Sequence, residues 1–149
     1  MPKIGPVSRP WRGLRGHDGW GDGNFGASRN GGARQHKGVD YACVEGDDAL
    51  SPIDGVVKRV GVAYANSDLG SIHIQGAGPH WAYYVKILYA KPGVAVGDVV
   101  ERGQRIGTCQ SVARHHNAHV DMGGGVMHDH LHLELRILAD SQRYTEVPN

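Results

Sequence analysis

His130-Leu131-His132-Leu133-Glu134-Leu135-Arg136-Ile137 alternates polar and apolar residues without a break. That alternation is the period-two signature of a β-strand lying with one face on a core. His130, His132, Glu134 and Arg136 are expected to share the polar face, and Leu131, Leu133, Leu135 and Ile137 to pack inward. At a rise of ~3.3 Å per residue the two imidazoles stand about 6–7 Å apart. That separation is wide for two ligands of one metal ion. It suits one histidine as a ligand and its neighbour as a group reaching over the metal, against the plainer alternative of a polar strand face that happens to hold two histidines.

Working outward, six more short runs have strand character: Val39 to Val44, Gly55 to Tyr64, Ser71 to Gln75, Trp81 to Ala90, Val94 to Val100 and Gln104 to Gln110. Each is bounded by Gly, Pro, Asn or Asp, and none has a helical period, so the chain reads as all-β with antiparallel sheets. Twenty-three glycines in 149 residues fit that reading, because glycine is poor in helices and useful in tight turns. Residues 1–35 read as an irregular, glycine-rich N-terminal arm, 36–138 as one compact domain with long loops, and 139–149 as a C-terminal tail. The polar stretch 111–129 interrupts the strand rhythm, and a loop of that length in a small domain is usually functional or mobile.

A formal charge of +1 lacks the basic excess of a nucleic-acid binder. No stretch approaches the roughly 20 apolar residues of a membrane span, so membrane insertion is not expected. The amino terminus, Met1 to Pro6, has no apolar segment or cleavage site of a secretory signal. Cys43 and Cys109 are too few for a disulfide scaffold and are read as buried thiols, with a single bridge as the alternative.

A second motif, His36-Lys37-Gly38-Val39-Asp40, places a histidine and a carboxylate four residues apart. Fully extended the pair would be ~13 Å apart, too far for common metal ligation, so the chain is expected to turn at Lys37-Gly38. By itself the pattern is weak. Combined with the strand motif it offers His, Asp and His as three ligands with a fourth position open, the arrangement of a catalytic zinc site. Such an ion lowers the pKa of a bound water towards ~7 and polarises a carbonyl, which suits amide hydrolysis.

With both motifs in place the sequence resembles the lysostaphin-like (LytM-type) zinc endopeptidases of bacterial peptidoglycan. His-Lys-Gly-Val-Asp resembles the family's first metal motif, and Ser51-Pro52-Ile53-Asp54-Gly55-Val56-Val57 its first hairpin. Val96 to Gly107 resembles its V-G-D-x-V-x-x-G-Q-x-I-G segment, and His130-Leu131-His132 its closing strand. The resemblance implies a barrel-sandwich domain and one Zn2+ held by His36, Asp40 and His132, with His130 as a catalytic histidine beside the metal. It also implies stem or cross-bridge peptides of peptidoglycan as substrate. Glu134 is expected to orient a metal-binding imidazole through its free ring nitrogen, the competing reading being a surface carboxylate.

One segment departs from the family. Where active members carry a histidine in an L-Y-x-H-L segment, this chain has Leu88-Tyr89-Ala90-Lys91-Pro92. The same Tyr-x-Lys-Pro text resembles the leukocyte-derived chemotaxin branch, whose members bind zinc and resemble non-peptidases, and similar phage-encoded domains. Tyr89 and Lys91 are candidates to donate a hydrogen bond to an oxyanion in place of the missing imidazole. Lys91 also reads as a solvated strand-end charge. His128 is a candidate to line the cleft, and His115, His116 and His119 with Asp121 read as a solvated loop or a second metal site. His17, His73 and His80 have no partner pattern. The function that follows is a zinc-dependent wall endopeptidase, reaching its substrate through a phage particle, a holin or host lysis, with phage tail or lysis proteins as partners. The alternative is an inactive zinc-containing module that binds cell wall or a protein partner.

Overall fold

The computed structural model describes residues 2–14, 28–29, 34–35, 38–113 and 129–138. His36, His128, the loop histidines His115, His116 and His119, and the tail 139–149 lie outside the described residues, as does most of the 111–129 loop. The strands are Ser8–Arg9 (β1), Ser28–Arg29 (β2), Arg34–Gln35 (β3), Val39–Ala42 (β4), Asp48–Leu50 (β5), Gly55–Val62 (β6), Gly70–Gly76 (β7), Tyr83–Leu88 (β8), Ala90–Pro92 (β9), Val99–Val100 (β10), Arg105–Cys109 (β11) and His130–Ile137 (β12). One sheet runs β1-β5-β11-β9, a larger one β10-β6-β7-β8-β12-β4, and β2 pairs with β3. Every pairing is antiparallel, as the alternating runs predict.

Directly opposed residues of neighbouring strands share a face, so the registers of the six-stranded sheet define its two sides. On one side Leu133, Ile87, Ile72 and Val60 fall in a row, as do Leu135, Val85, Ile74 and Val57. Most of these residues pack with Val7, Ala49, Ala90, Ile106 and Cys109 in one core between the sheets. On the other side the rows are Asp40-His132-Leu88-Ser71 and Glu134-Lys86-His73-Arg59. The polar face of β12 therefore continues across the sheet.

Several expectations need correction. Leu135 and Ile137 are 37% and 56% exposed rather than core residues. The cause is the length of β4, which pairs with β12 only from His130 to Leu133 and leaves the flank beyond open. Only Val99 and Val100 of the Val94–Val100 run form a strand. Before them the chain makes a turn in which the Asp98 carboxylate accepts from the Ala95 N–H (2.9 Å), with Gly97 at φ 96°. The amino-terminal arm, expected to be irregular, places Val7 in the core and pairs β1 with β5. His80 helps to fix it, with Nδ1 accepting from the Asp54 N–H (3.1 Å) and Nε2 2.9 Å from the Lys3 carbonyl. Cys43 and Cys109 are buried free thiols, and their mutual hydrogen bond together with burial pushes the Cys43 thiol up.

The expected strand from Trp81 to Ala90 breaks at Tyr89, whose φ is 77°. Here the chain leaves the six-stranded sheet at the end of β8 and enters the four-stranded sheet as β9. The crossing is held by hydrogen bonds from the Tyr89 N–H to the Gly70 carbonyl (2.7 Å) and from the Gln110 N–H to the Tyr89 carbonyl (2.9 Å). A Cβ on Gly70 would lie 2.0 Å from the Ala90 carbonyl oxygen, so only glycine admits the crossing strand. Gly70→Ala should cost about 1–3 kcal/mol or more of stability in urea unfolding. Gly61→Ala, where a Cβ meets nothing within 4 Å, should stay within roughly 0.5 kcal/mol.

Candidate metal and catalytic centre

Pairing of β4 with β12 sets Asp40 opposite His132. The Asp40 carboxylate, 2% exposed, meets His132 Nδ1 at 2.8 Å through Oδ1 and His130 Nε2 at 3.5 Å through Oδ2. Both imidazoles are buried. The second nitrogen of His132, Nε2, lies 3.0 Å from Glu134 Oε2. Arg136 approaches the other Glu134 oxygen at 3.8 Å. His130, His132 and Glu134, all on the polar face expected from the alternation, thus stand in one contiguous group with Asp40.

Gly38 makes this approach possible by clearance. A Cβ there would lie 2.3 Å from the Leu133 carbonyl oxygen and 2.9 Å from two atoms of the His132 ring. The glycine was expected on the grounds of a turn alone. Its second role, leaving room for the ring of a residue 94 positions later in the chain, has no local sequence signal.

The electrostatics favour positive charge at the centre of the group. Burial opposes the charged form of His132, but its hydrogen bonds to Asp40 and Glu134 outweigh that and push its pKa up to about 9. The Glu134 carboxyl is held below its usual range, chiefly by the hydrogen bond to His132, with burial opposing and Lys86 and Arg136 adding attraction. Carboxylates on both nitrogens of His132 favour its protonated form, and His132 Nδ1 with Asp40 Oδ1, a nitrogen and an oxygen donor 2.8 Å apart, suit zinc in kind. Among the described residues no group of three His, Cys, Asp or Glu is set to hold an ion. The expected third ligand, His36, and the cleft candidate His128 lie outside them.

Tyr89, buried at the sheet crossing, turns its ring edge-on to His130 with centroids 5.3 Å apart, and lies 6.5 Å from His132. Its hydroxyl is hydrogen-bonded to that of Tyr64, a residue that sequence reasoning did not single out. Lys91 sits exposed on β9, opposite Thr108 in the four-stranded sheet. The crossing at Tyr89 therefore carries the two candidates into different settings.

Sequence reasoning also left His73 unassigned. It lies half-buried in the row Glu134-Lys86-His73-Arg59, with Nδ1 3.1 Å from the Tyr84 hydroxyl and the two rings edge to face. A lone histidine in an alternating strand carries no signal of such neighbours. Only the pairing of β6, β7, β8 and β12 reveals them.

Comparison with known proteins supplies a family for this arrangement. Residues 34–144 match the family model described as Peptidase family M23. Myeloid protein 1 of Gallus gallus is 32% identical over 104 residues, which are 68% of this chain and 30% of that protein. A zinc-containing peptidase from Vibrio cholerae superposes with a TM-score of 0.62 at 21% identity, covering 91% of this chain and 37% of the other. The catalytic domain of the antimicrobial peptidase lysostaphin from Staphylococcus simulans gives 0.54 at 20%, covering 93% and 80%. The chain thus spans about a third of the length of the chicken and Vibrio proteins. At these identities the two structures share its fold.

Burial, then Lys86 and Arg59, depress the His73 pKa to about 4 from 6.5, with Glu134 opposing. The unfolded chain therefore binds a proton at this residue first, so the stability His73 contributes is complete above pH 6.5 and lost as pH falls towards 4. The His73 ring protons should titrate by NMR with a midpoint near pH 4. His73→Gln should flatten the stability profile in that window.

Proposed function

The chain belongs to peptidase family M23, and from that membership we propose that it is a zinc-dependent endopeptidase acting on peptide bonds of bacterial peptidoglycan. The observation that carries the proposal is the buried Asp40 carboxylate meeting His132 at 2.8 Å and His130 at 3.5 Å, with Glu134 on the far nitrogen of His132. Asp40 and His132, joined by His36, would hold the ion. When bound, zinc supplies Lewis acidity towards the scissile carbonyl and activates water for its hydrolysis.

The protein's own groups then divide the work. Glu134 fixes the orientation of His132 by accepting from its Nε2–H, which leaves Nδ1 directed at the ligand position. His130 takes a proton from the attacking water and returns it to the leaving amine, the two halves of general acid–base catalysis. Tyr89 replaces the family histidine absent at Lys91. Its ring stands against His130 and its hydroxyl is hydrogen-bonded to that of Tyr64, and in this reading that hydroxyl stabilises the oxyanion of the tetrahedral intermediate. Lys91, exposed in the other sheet, is left as a surface charge.

Support for a wall substrate comes from the motif resemblance together with family membership, and the phage-associated route to the wall rests on the Tyr-x-Lys-Pro resemblance. The absent histidine favours a second reading, a zinc-containing module that binds wall or a protein partner without cutting.

Zinc-loaded protein incubated with purified peptidoglycan should release new amino termini, and His36→Ala and His130→Ala should not. Absence of release from every wall type would favour the binding module instead. Tyr89→Phe should lower kcat by about 10²-fold with KM little changed, whereas Glu134→Gln should weaken zinc binding by roughly 10–100-fold in a chelator competition.

A further inference from the structure

The side of the six-stranded sheet that carries the metal-binding group extends well beyond it. From Glu134 the row runs through Lys86 on β8 and His73 on β7 to Arg59 on β6. With strands ~4.8 Å apart, Lys86 stands one strand from Glu134 and Arg59 about 14 Å away. The next row along β12 brings Arg136, opposite Tyr84 and then Gln75. Across these two rows the described charged residues are Lys86, Arg59 and Arg136 against the lone carboxylate of Glu134, which already serves His132. Arg59 is exposed, and Lys86 and His73 are partly so.

His73 lies between the two outer cations, with Tyr84 on its Nδ1. Burial and the flanking Lys86 and Arg59 keep its ring neutral near pH 7. The ring therefore adds a hydrogen-bonding edge to the row and no third charge. Lys86 and Arg59 flank His73 on either side, two strands or about 10 Å apart, a span that one anion laid over His73 would bridge. A peptide crossing from the metal-binding group over β8, β7 and β6 would pass directly above this patch.

We propose that the Lys86-His73-Arg59 row is a specificity subsite for a carboxylate of the substrate peptide, so that the enzyme prefers acidic peptides over neutral ones such as oligoglycine. The assignment rests on the endopeptidase reading only in taking a peptide to lie across this face. A free side-chain or terminal carboxylate would sit over His73, within reach of Lys86 and Arg59, two to three strands from the His132 strand. Recognition of this kind adds to affinity and to encounter rate, and weakens with salt.

The test uses the full zinc-loaded chain and a panel of labelled Gly-Ala peptides in which one Glu steps through the sequence, each paired with its Gln counterpart. Binding is read by fluorescence anisotropy in the His130→Ala background, so that peptides stay intact, and initial rates are read in the wild type. At one register the Glu peptide should bind about fivefold more tightly than its Gln partner, mainly through KM in the rate assay. Arg59→Gln and Lys86→Gln should each reduce that preference, and the double variant should abolish it, with Gln peptides handled as before. Equal handling of Glu and Gln at every position, or a preference unmoved in the double variant, overturns the assignment. So does abolition of the preference by inorganic phosphate where glutarate at equal concentration has no effect, which would mark a phosphate site. A Glu preference without any cleavage would retain this subsite and reject the endopeptidase; cleavage with no preference would do the reverse.

Discussion

The Asp40–His132 pair sets the register between β4 and β12, and the rest of the centre depends on that register. A carboxylate this deeply buried is costly unless charged or hydrogen-bonding partners meet it. Here two imidazoles do so across a strand boundary. Because side chains alternate with period two, a slip of one residue would send Asp40 into the core and Val39 into the cleft. Leu131 and Leu133, alternating with the histidines, resist the same slip from the other face. Core packing and site geometry thus enforce one alignment.

Tyr89 is the second point on which sheet structure and chemistry meet. Its positive φ lets a single chain segment serve both sheets, and the same bend turns its ring onto His130. A non-glycine residue in that region is strained and persists where surrounding contacts over-determine it. The contacts that hold Tyr89 are Gly70 beneath, Gln110 alongside and Tyr64 at the hydroxyl. Residues that hold the sheet crossing therefore also hold a phenol beside His130.

Much of the polar face was legible in the sequence because strand alternation is local and strict. His130, His132 and Glu134 could be set on one side from their spacing alone, and the antiparallel all-β class from seven punctuated runs. Leu135 and Ile137 were misread because alternation reports which residues share a side and says nothing of how far the neighbouring strand extends. The unbroken reading of Trp81 to Ala90 failed for a related reason: a tyrosine with positive φ leaves no compositional mark. His73, Lys86 and Arg59 belong to three strands, and no single stretch could announce their alignment.

The edge of β4 has a consequence for how a peptide can approach. Its inner side is paired with β12, and on its outer side the Ala42 N–H donates to the Gly13 carbonyl while Leu14 bridges to Tyr41. Trp11 packs beside them on the Tyr41 ring, and Arg12 is anchored to Asp47. The backbone groups that an extended ligand would need in order to join as an extra strand are thus occupied at these residues. On the proposed reading, a peptide bound near Asp40 would meet side chains of the six-stranded sheet rather than a free strand edge at these residues, so its sequence, more than its backbone, would govern whether it stays.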